Sequence, residues 1–247
     1  LVTGGAPGQI AYVSMVRTGS RDEVEPGRSG YAHFFEHMMF RGTEKYPNYD
    51  AVTASMGAAR NAFTSNDMTV YYLVLSNEYL EKVMDLESDR FQNLSYAEPA
   101  FRTEAGAILG EQQQGKLSPF RYLDEAVRDA AYDVHTYRHT TIGFEADVRA
   151  MPEGYEYSRS FYQRFYRPEN VVLVIAGDFD VDRAGHTPAP SRRSTPRRAP
   201  ARGRRRSRRS ARGPRSRDGR SGRRRRDCTR TPPAWPARLP RTRSWCG

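Results

Sequence analysis

The chain has 247 residues and a formal net charge of +11, but the charge is unevenly placed. Residues 184–247 hold 22 Arg, no Lys and only two acids, Asp218 and Asp227, a net of +20; the remaining 18 basic and 27 acidic residues give 1–183 a net of −9. The folded part is therefore acidic, its two-cysteine complement (Cys228 and Cys246) lies wholly in the tail, and no apolar run can span a membrane, which excludes a disulfide scaffold, thiolate metal ligands and a transmembrane helix.

In chain order, residues 9–18 read as a strand, and the stretch 32–40 as a helix capped by Ser29 and Gly30 and stopped by Gly42. That helix carries His33, Phe34, Phe35, Glu36 and His37. Two imidazoles four residues apart stack on one helical face and can close on a metal, while Glu36 borders the same face. The order H-x-x-E-H inverts the commoner zinc-peptidase sequence H-E-x-x-H. The chemistry tolerates the inversion, since it needs two neutral nitrogens on Zn²⁺ and one unligated carboxylate able to take a proton from water. The plainer alternative is a pair of core histidines beside a helical glutamate, which would need unusual polar compensation.

Residues 60–65 and 68–75 read as two strands joined at Asn66 and Asp67, and 77–92 as an amphipathic helix with Leu80, Val83, Met84 and Phe91 inward. The stretch 101–111 places Glu104 and Glu111 seven apart, two turns, so that both carboxylates share a face. One of them can supply the third ligand and the other can orient a histidine or the water; a solvated acidic stripe is the plain alternative. Further helices are expected over 119–132, begun by Ser118, and over 152–166. The apolar run 171–176 is expected to be a fully buried strand. His135 and His139 are also four apart, but the segment is rich in β-branched residues and has no carboxylate at helical spacing, so a structural or substrate-side role is expected rather than metal binding. Irregular alternation of strands and helices implies an α+β layered fold with a mixed or antiparallel sheet.

These motifs resemble the pitrilysin/insulinase family of inverted zinc peptidases, which includes the mitochondrial processing peptidase. The resemblance spans about 13–178 and rests on GSRDE (19–23), SGYAHFFEHMMFRGT (29–43), GAARNAFTS (57–65), LESDRF (86–91), TEAGAILGE (103–111), HTYRHTT (135–141), YRPEN (166–170) and GD (177–178). It implies one Zn²⁺ per chain on His33, His37 and Glu111, with Glu36 as general base and Glu104 as supporting acid. It also implies that the first hairpin strand is an open edge that a substrate peptide joins, with Asn61 and Ala62 touching the peptide backbone; a plain hairpin strand is the other reading. The fold it implies is half of a clamshell, so a second homologous half or subunit is the expected partner. The family would continue after 177–180 into a helix, and this chain is expected not to.

The tail reads differently. Arg, Pro, Ala and Gly make up 44 of the 64 residues in 184–247, and Ile, Val, Phe, Tyr, Met, Asn, Gln and Glu are all missing. That is the composition of GC-rich DNA translated in a wrong frame, whereas basic nucleic-acid-binding arms usually mix Lys with Arg. Residues 1–183 are thus expected to be the peptidase domain, incomplete at its ends, and nucleic acid is not the expected partner. The chain begins at Leu1 and leaves the compartment open, periplasm and cytoplasm alike.

Overall fold

The computed structural model describes residues 2–3 and 5–186. The expected low-complexity tail, apart from its first three residues, lies outside them. The sheet has the strand order β1-β5-β2-β4-β3. Its strands are β1 (Val2–Thr3), β2 (Gln9–Val16), β3 (Ala59–Thr64), β4 (Thr69–Ser76) and β5 (Val171–Gly177). All pairings are antiparallel except β1 with β5, which is parallel and two residues long. The helices are α1 (Tyr31–Met38), α2 (Tyr49–Ser55), α3 (Leu80–Asn93), α4 (Glu98–Gly115), α5 (Pro119–Ala131), α6 (Glu145–Ala150), α7 (Tyr155–Phe165) and α8 (Val181–His186). This is the α+β layering expected from the sequence.

Period-two burial makes β2 a strand. Ile10, Tyr12, Ser14 and Val16 point into the protein, and the register Gln9↔Ser76 to Val16↔Thr69 sets them beside Leu73, Leu75 and Tyr71 of β4. The core over this face is aromatic. Phe34 and Phe35 of α1 are fully buried against Phe101 of α4 and Phe161 of α7, with Phe35 and Phe161 stacked at 5.5 Å. A wholly buried Phe contributes about 3–5 kcal/mol against Ala, so this cluster fixes the height of α1 over the sheet. The Tyr71 hydroxyl donates to the Phe35 carbonyl at 3.1 Å and ties the same helix to β4.

Three expectations are corrected. α1 starts at Tyr31 with Gly30 at its N-cap in the left-handed region (φ 94°), and Ser29 does not cap it: the Ser29 hydroxyl donates to Asp147 at 2.6 Å and accepts from the Phe144 N–H. A Cβ on Gly30 would sit 2.6 Å from the Ile142 carbonyl, so the close approach of that loop requires glycine. β5 is not a fully buried strand: Ile175 is buried, but Leu173 is 46% and Val174 37% exposed. An apolar run reports hydrophobicity and not which faces other elements cover. The chain does enter a helix after Asp180, whose Oδ1 accepts the Asp182 N–H at 2.9 Å at the start of α8.

α3 carries three buried charged residues that its apolar periodicity does not reveal. Arg90 and Glu87, each 1% exposed, pair at 2.6 Å, and the guanidinium lies 4.5 Å from the centroid of Tyr49 and 5.0 Å from that of Tyr71. Asp89 accepts from the Thr43 hydroxyl. Among the described residues, no helix is long and apolar enough to cross a membrane.

Candidate metal centre

α1 and α4 pack against each other and bring the expected donors together. His33 Nε2 is 3.6 Å and His37 Nε2 3.5 Å from the same oxygen of Glu111, and the ligand atoms of the three residues lie within 4.8 Å of one another. Among the described residues this is the one group of His, Cys, Asp and Glu that could hold a metal. Two imidazole nitrogens and a carboxylate oxygen facing a common point are the donor set of a three-protein-ligand zinc site with an open position. The residues present therefore fit Zn²⁺. Glu111 is 46% exposed, so the open side of the group is reachable from solvent.

Glu104, two turns before Glu111 on α4, does not enter that cluster. Its Oε1 accepts the His37 Nδ1–H at 3.0 Å, and His37 Nε2 is turned toward Glu111. Its Oε2 accepts both Nε and Nη2 of Arg41, at 2.9 and 2.7 Å. The carboxylate–histidine pairing that the seven-residue spacing allowed is thus resolved: Glu111 faces the imidazole pair, and Glu104 stands behind one ring.

The electrostatics follow from these contacts. Burial pulls the His33 imidazole down to about 4, so it is neutral at physiological pH and free to donate its lone pair. Burial also pulls His37 down, but its hydrogen bonds to the Glu104 and Glu111 carboxylates overcome it and hold the ring up to about 9. A cation among these donors takes over the role of that proton. The His37 hydrogen bond, with Arg41 adding to it, holds Glu104 below the usual carboxylate range. Glu36 behaves oppositely: burial raises its pKa, against a hydrogen bond from the Thr64 hydroxyl at 2.5 Å. Glu36, His37, Phe40, Arg41, Asp50 and Glu104 line an open cleft.

β3 is the edge strand of the sheet, with β4 as its one neighbour among the described strands. Its hairpin partner is joined through Ser65, Asn66, Asp67 and Met68, closed by Ser65 N–H to Met68 O at 2.8 Å. The Ala62 N–H is bonded to the neighbouring Asn61 Oδ1 at 2.9 Å and points to the open edge. Asn61 is exposed and Ala62 buried, and Thr64, two residues on, reaches Glu36.

Three residues at the site went unremarked in the sequence. Arg41 is four residues after His37, a visible spacing for a cation near the helix end. Thr64 and Glu23, described below, carry no local signal. His135 and His139 do not share a helix. His135 is exposed and accepts the Tyr137 N–H at 3.1 Å; His139 is buried and its Nδ1 lies 2.9 Å from the Thr140 carbonyl.

Known proteins place this geometry. The sequence profile described as insulinase, peptidase family M16, matches residues 6–144, and that of the M16 inactive domain matches 154–185. The chain is 30% identical over 174 residues to a zinc protease, PqqE, of Helicobacter pylori, covering 69% of this chain and 38% of that protein. It is 29% identical over 169 residues to the human mitochondrial-processing peptidase subunit beta, covering 68% of this chain and 34% of that protein. Among solved structures, that of a protease from Helicobacter pylori superposes with a TM-score of 0.70 at 28% identity, over 73% of this chain and 44% of that one. The chain thus spans little more than a third of the length of the curated relatives it matches. With its inverted histidine pair on α1, its carboxylates on α4 and a profile match over most of the described residues, the chain belongs to the insulinase family of peptidases, M16.

Proposed function

We propose that this chain is the metal-bearing half of a zinc-dependent endopeptidase that hydrolyses extended peptides. The observation that carries the reading is the convergence of His33, His37 and Glu111 within 4.8 Å, with Glu36 alongside them on α1. Those three residues would hold one Zn²⁺, which would supply a Lewis acid able to lower the pKa of a water and polarise a carbonyl. Glu36 takes the proton of the attacking water and delivers it to the leaving amine. Burial raises its pKa, which suits a carboxyl that must accept a proton and give it back. Glu104 keeps the His37 Nδ1–H bonded, so that Nε2 faces the metal. The peptide pairs along β3, with Asn61 and Ala62 meeting its backbone; main-chain pairing of this kind accepts many sequences.

A second homologous half or subunit closes over the cleft. The support is the relatives' greater length and the name of one of them as a subunit. Residues 1–183 form the family domain, and 184–247 are a wrong-frame segment with no part in the reaction; retranslating the coding DNA beyond Arg183 in the other two frames tests this. The alternative is a truncated or non-catalytic subunit of the same fold serving assembly or substrate binding.

The experiment is zinc per chain in the purified protein and in His37→Ala after dialysis against metal-free buffer. One equivalent, lost in the variant, is expected; adding a homologous second half then yields peptide cleavage that Glu36→Gln abolishes while keeping its zinc. No zinc in folded wild-type protein would end the peptidase reading.

A further inference from the structure

α1 has eight residues, and its first turn contains no acid and no capping side chain. Two main-chain donors at its start are nonetheless satisfied from outside the helix. Glu23, seven and nine residues earlier, accepts the Gly30 N–H on Oε2 and the Ala32 N–H on Oε1, both at 2.7 Å. Its side chain is wholly buried, and among the described residues its ion-pair neighbour is His139, at 3.8 Å, with no Lys or Arg in that range. Burial pushes this carboxyl up to about 8, and the two main-chain hydrogen bonds at the N-terminus of α1 offset part of that cost.

The residue is itself anchored. The single turn Ser20–Asp22 just before it is bonded to the β3–β4 loop: the Ser20 N–H to Ser65 O at 3.3 Å, and the Arg21 N–H to Asn66 O at 2.8 Å. A Cβ on Gly19 would lie 2.4 Å from the Ser65 carbonyl, so the two segments are in close main-chain contact. At the other end of α1, the buried Arg90 Nη1 donates to the Met39 carbonyl at 3.2 Å. The Glu23 carboxyl and the Arg90 guanidinium thus hold opposite ends of the helix through its main chain, one accepting from N–H groups and the other donating to a carbonyl.

We propose that Glu23 is a positioning residue of the metal centre: its buried carboxylate bridges two main-chain donors of α1 and sets His33 opposite Glu111, in register with the edge strand β3. This rests on the zinc reading above. His33 stands in the first turn, three residues from Gly30, and feels any shift of that end; His37, one turn on, has its own restraint in Glu104. Loss of Glu23 therefore loosens His33 in particular.

The test uses the full chain. Zinc dissociation constants are measured by competition with a chromophoric chelator, and the Co²⁺-substituted protein is followed by its visible absorption. Glu23→Ala is expected to weaken zinc roughly tenfold or more and to alter the Co²⁺ spectrum, as removal of an outer-shell partner does. Glu23→Gln, which keeps one acceptor but turns an amide N–H₂ toward the second donor, is expected to fall between. Leu75→Ala, in the second core cluster away from α1, loses stability and keeps its zinc affinity and spectrum. Wild-type zinc affinity in either folded Glu23 variant, or an equal loss in Leu75→Ala, overturns the proposal. If Glu23→Ala does not fold, Glu23→Gln decides by the same criterion. Wild-type protein without zinc removes the metal reading itself, a separate result.

Discussion

Replacing Glu104 by Gln tests the contact that sets the tautomer of His37. The carboxylate accepts at three places: the His37 Nδ1–H at 3.0 Å, and Arg41 Nε and Nη2 at 2.9 and 2.7 Å. A glutamine has one acceptor oxygen and one N–H₂. If the oxygen faces His37, the N–H₂ meets two guanidinium donors. If it faces Arg41, the N–H₂ points at Nδ1, which must then accept, so the ring proton moves to Nε2 and blocks the nitrogen that faces Glu111. Either way one charge-assisted bond is lost and the ring is misdirected. Such changes typically cost 10–100-fold in metal affinity, about 1.4–2.7 kcal/mol. Arg41→Ala leaves the His37–Glu104 bond in place. Its half-exposed ion pair is worth about 0.2–1 kcal/mol, or up to roughly fivefold in affinity. Chelator competition at one pH gives both numbers. Zinc binding by Glu104→Gln as tight as wild type, or a larger loss in Arg41→Ala, would refute the tautomer argument.

Three further outcomes are expected. Arg90→Met leaves the 1%-exposed Glu87 with the Tyr49 hydroxyl at 2.8 Å as its remaining strong partner, and should lower stability by about 3–5 kcal/mol. Glu87→Leu with Arg90→Met should recover much of that in urea titration, and a purely additive double variant would contradict the pairing. Glu25 accepts from Arg164 and from Tyr157, and the Arg164 hydrogen bond holds its pKa below the ordinary carboxylate value of 4.5. A folded pKa below the unfolded one gives stability that is present above 4.5 and lost as pH falls through the folded value. The melting-temperature gap between wild type and Glu25→Gln should therefore close in acid, and a gap unchanged from pH 7 to about 3 would sink this account. Ala62→Pro removes an N–H that the sheet does not use, so zinc binding should persist while affinity for an extended peptide inhibitor drops about tenfold or more. Equal peptide affinity would show that the edge of β3 is not the binding strand.

The sequence by itself determined the donor set and its local geometry. Donor type is written in the residues, and a spacing of four on α1 or seven on α4 puts side chains on one face wherever those helices lie, because the helical repeat is a property of the local chain. The layered α+β class was legible for the same reason, since strand and helix periods are local. Spacing alone left open which of two like-facing carboxylates meets the imidazole pair; the family resemblance pointed to Glu111, and the crossing of α4 over α1 sets it there physically. Tertiary structure also decided that β3 is an edge, that β5 is half-open, and that the helix expected to be missing after Asp180 forms. The buried charges are the plainest case. Glu23, Glu87 and Arg90 look like surface residues in any local window; Glu87 and Arg90 pair one helical turn apart, and all three are buried because further partners 7 to 51 positions away satisfy them as well. Desolvating a charge is favourable only when such partners are assembled in space, and pairings at that range leave no periodic trace in the chain.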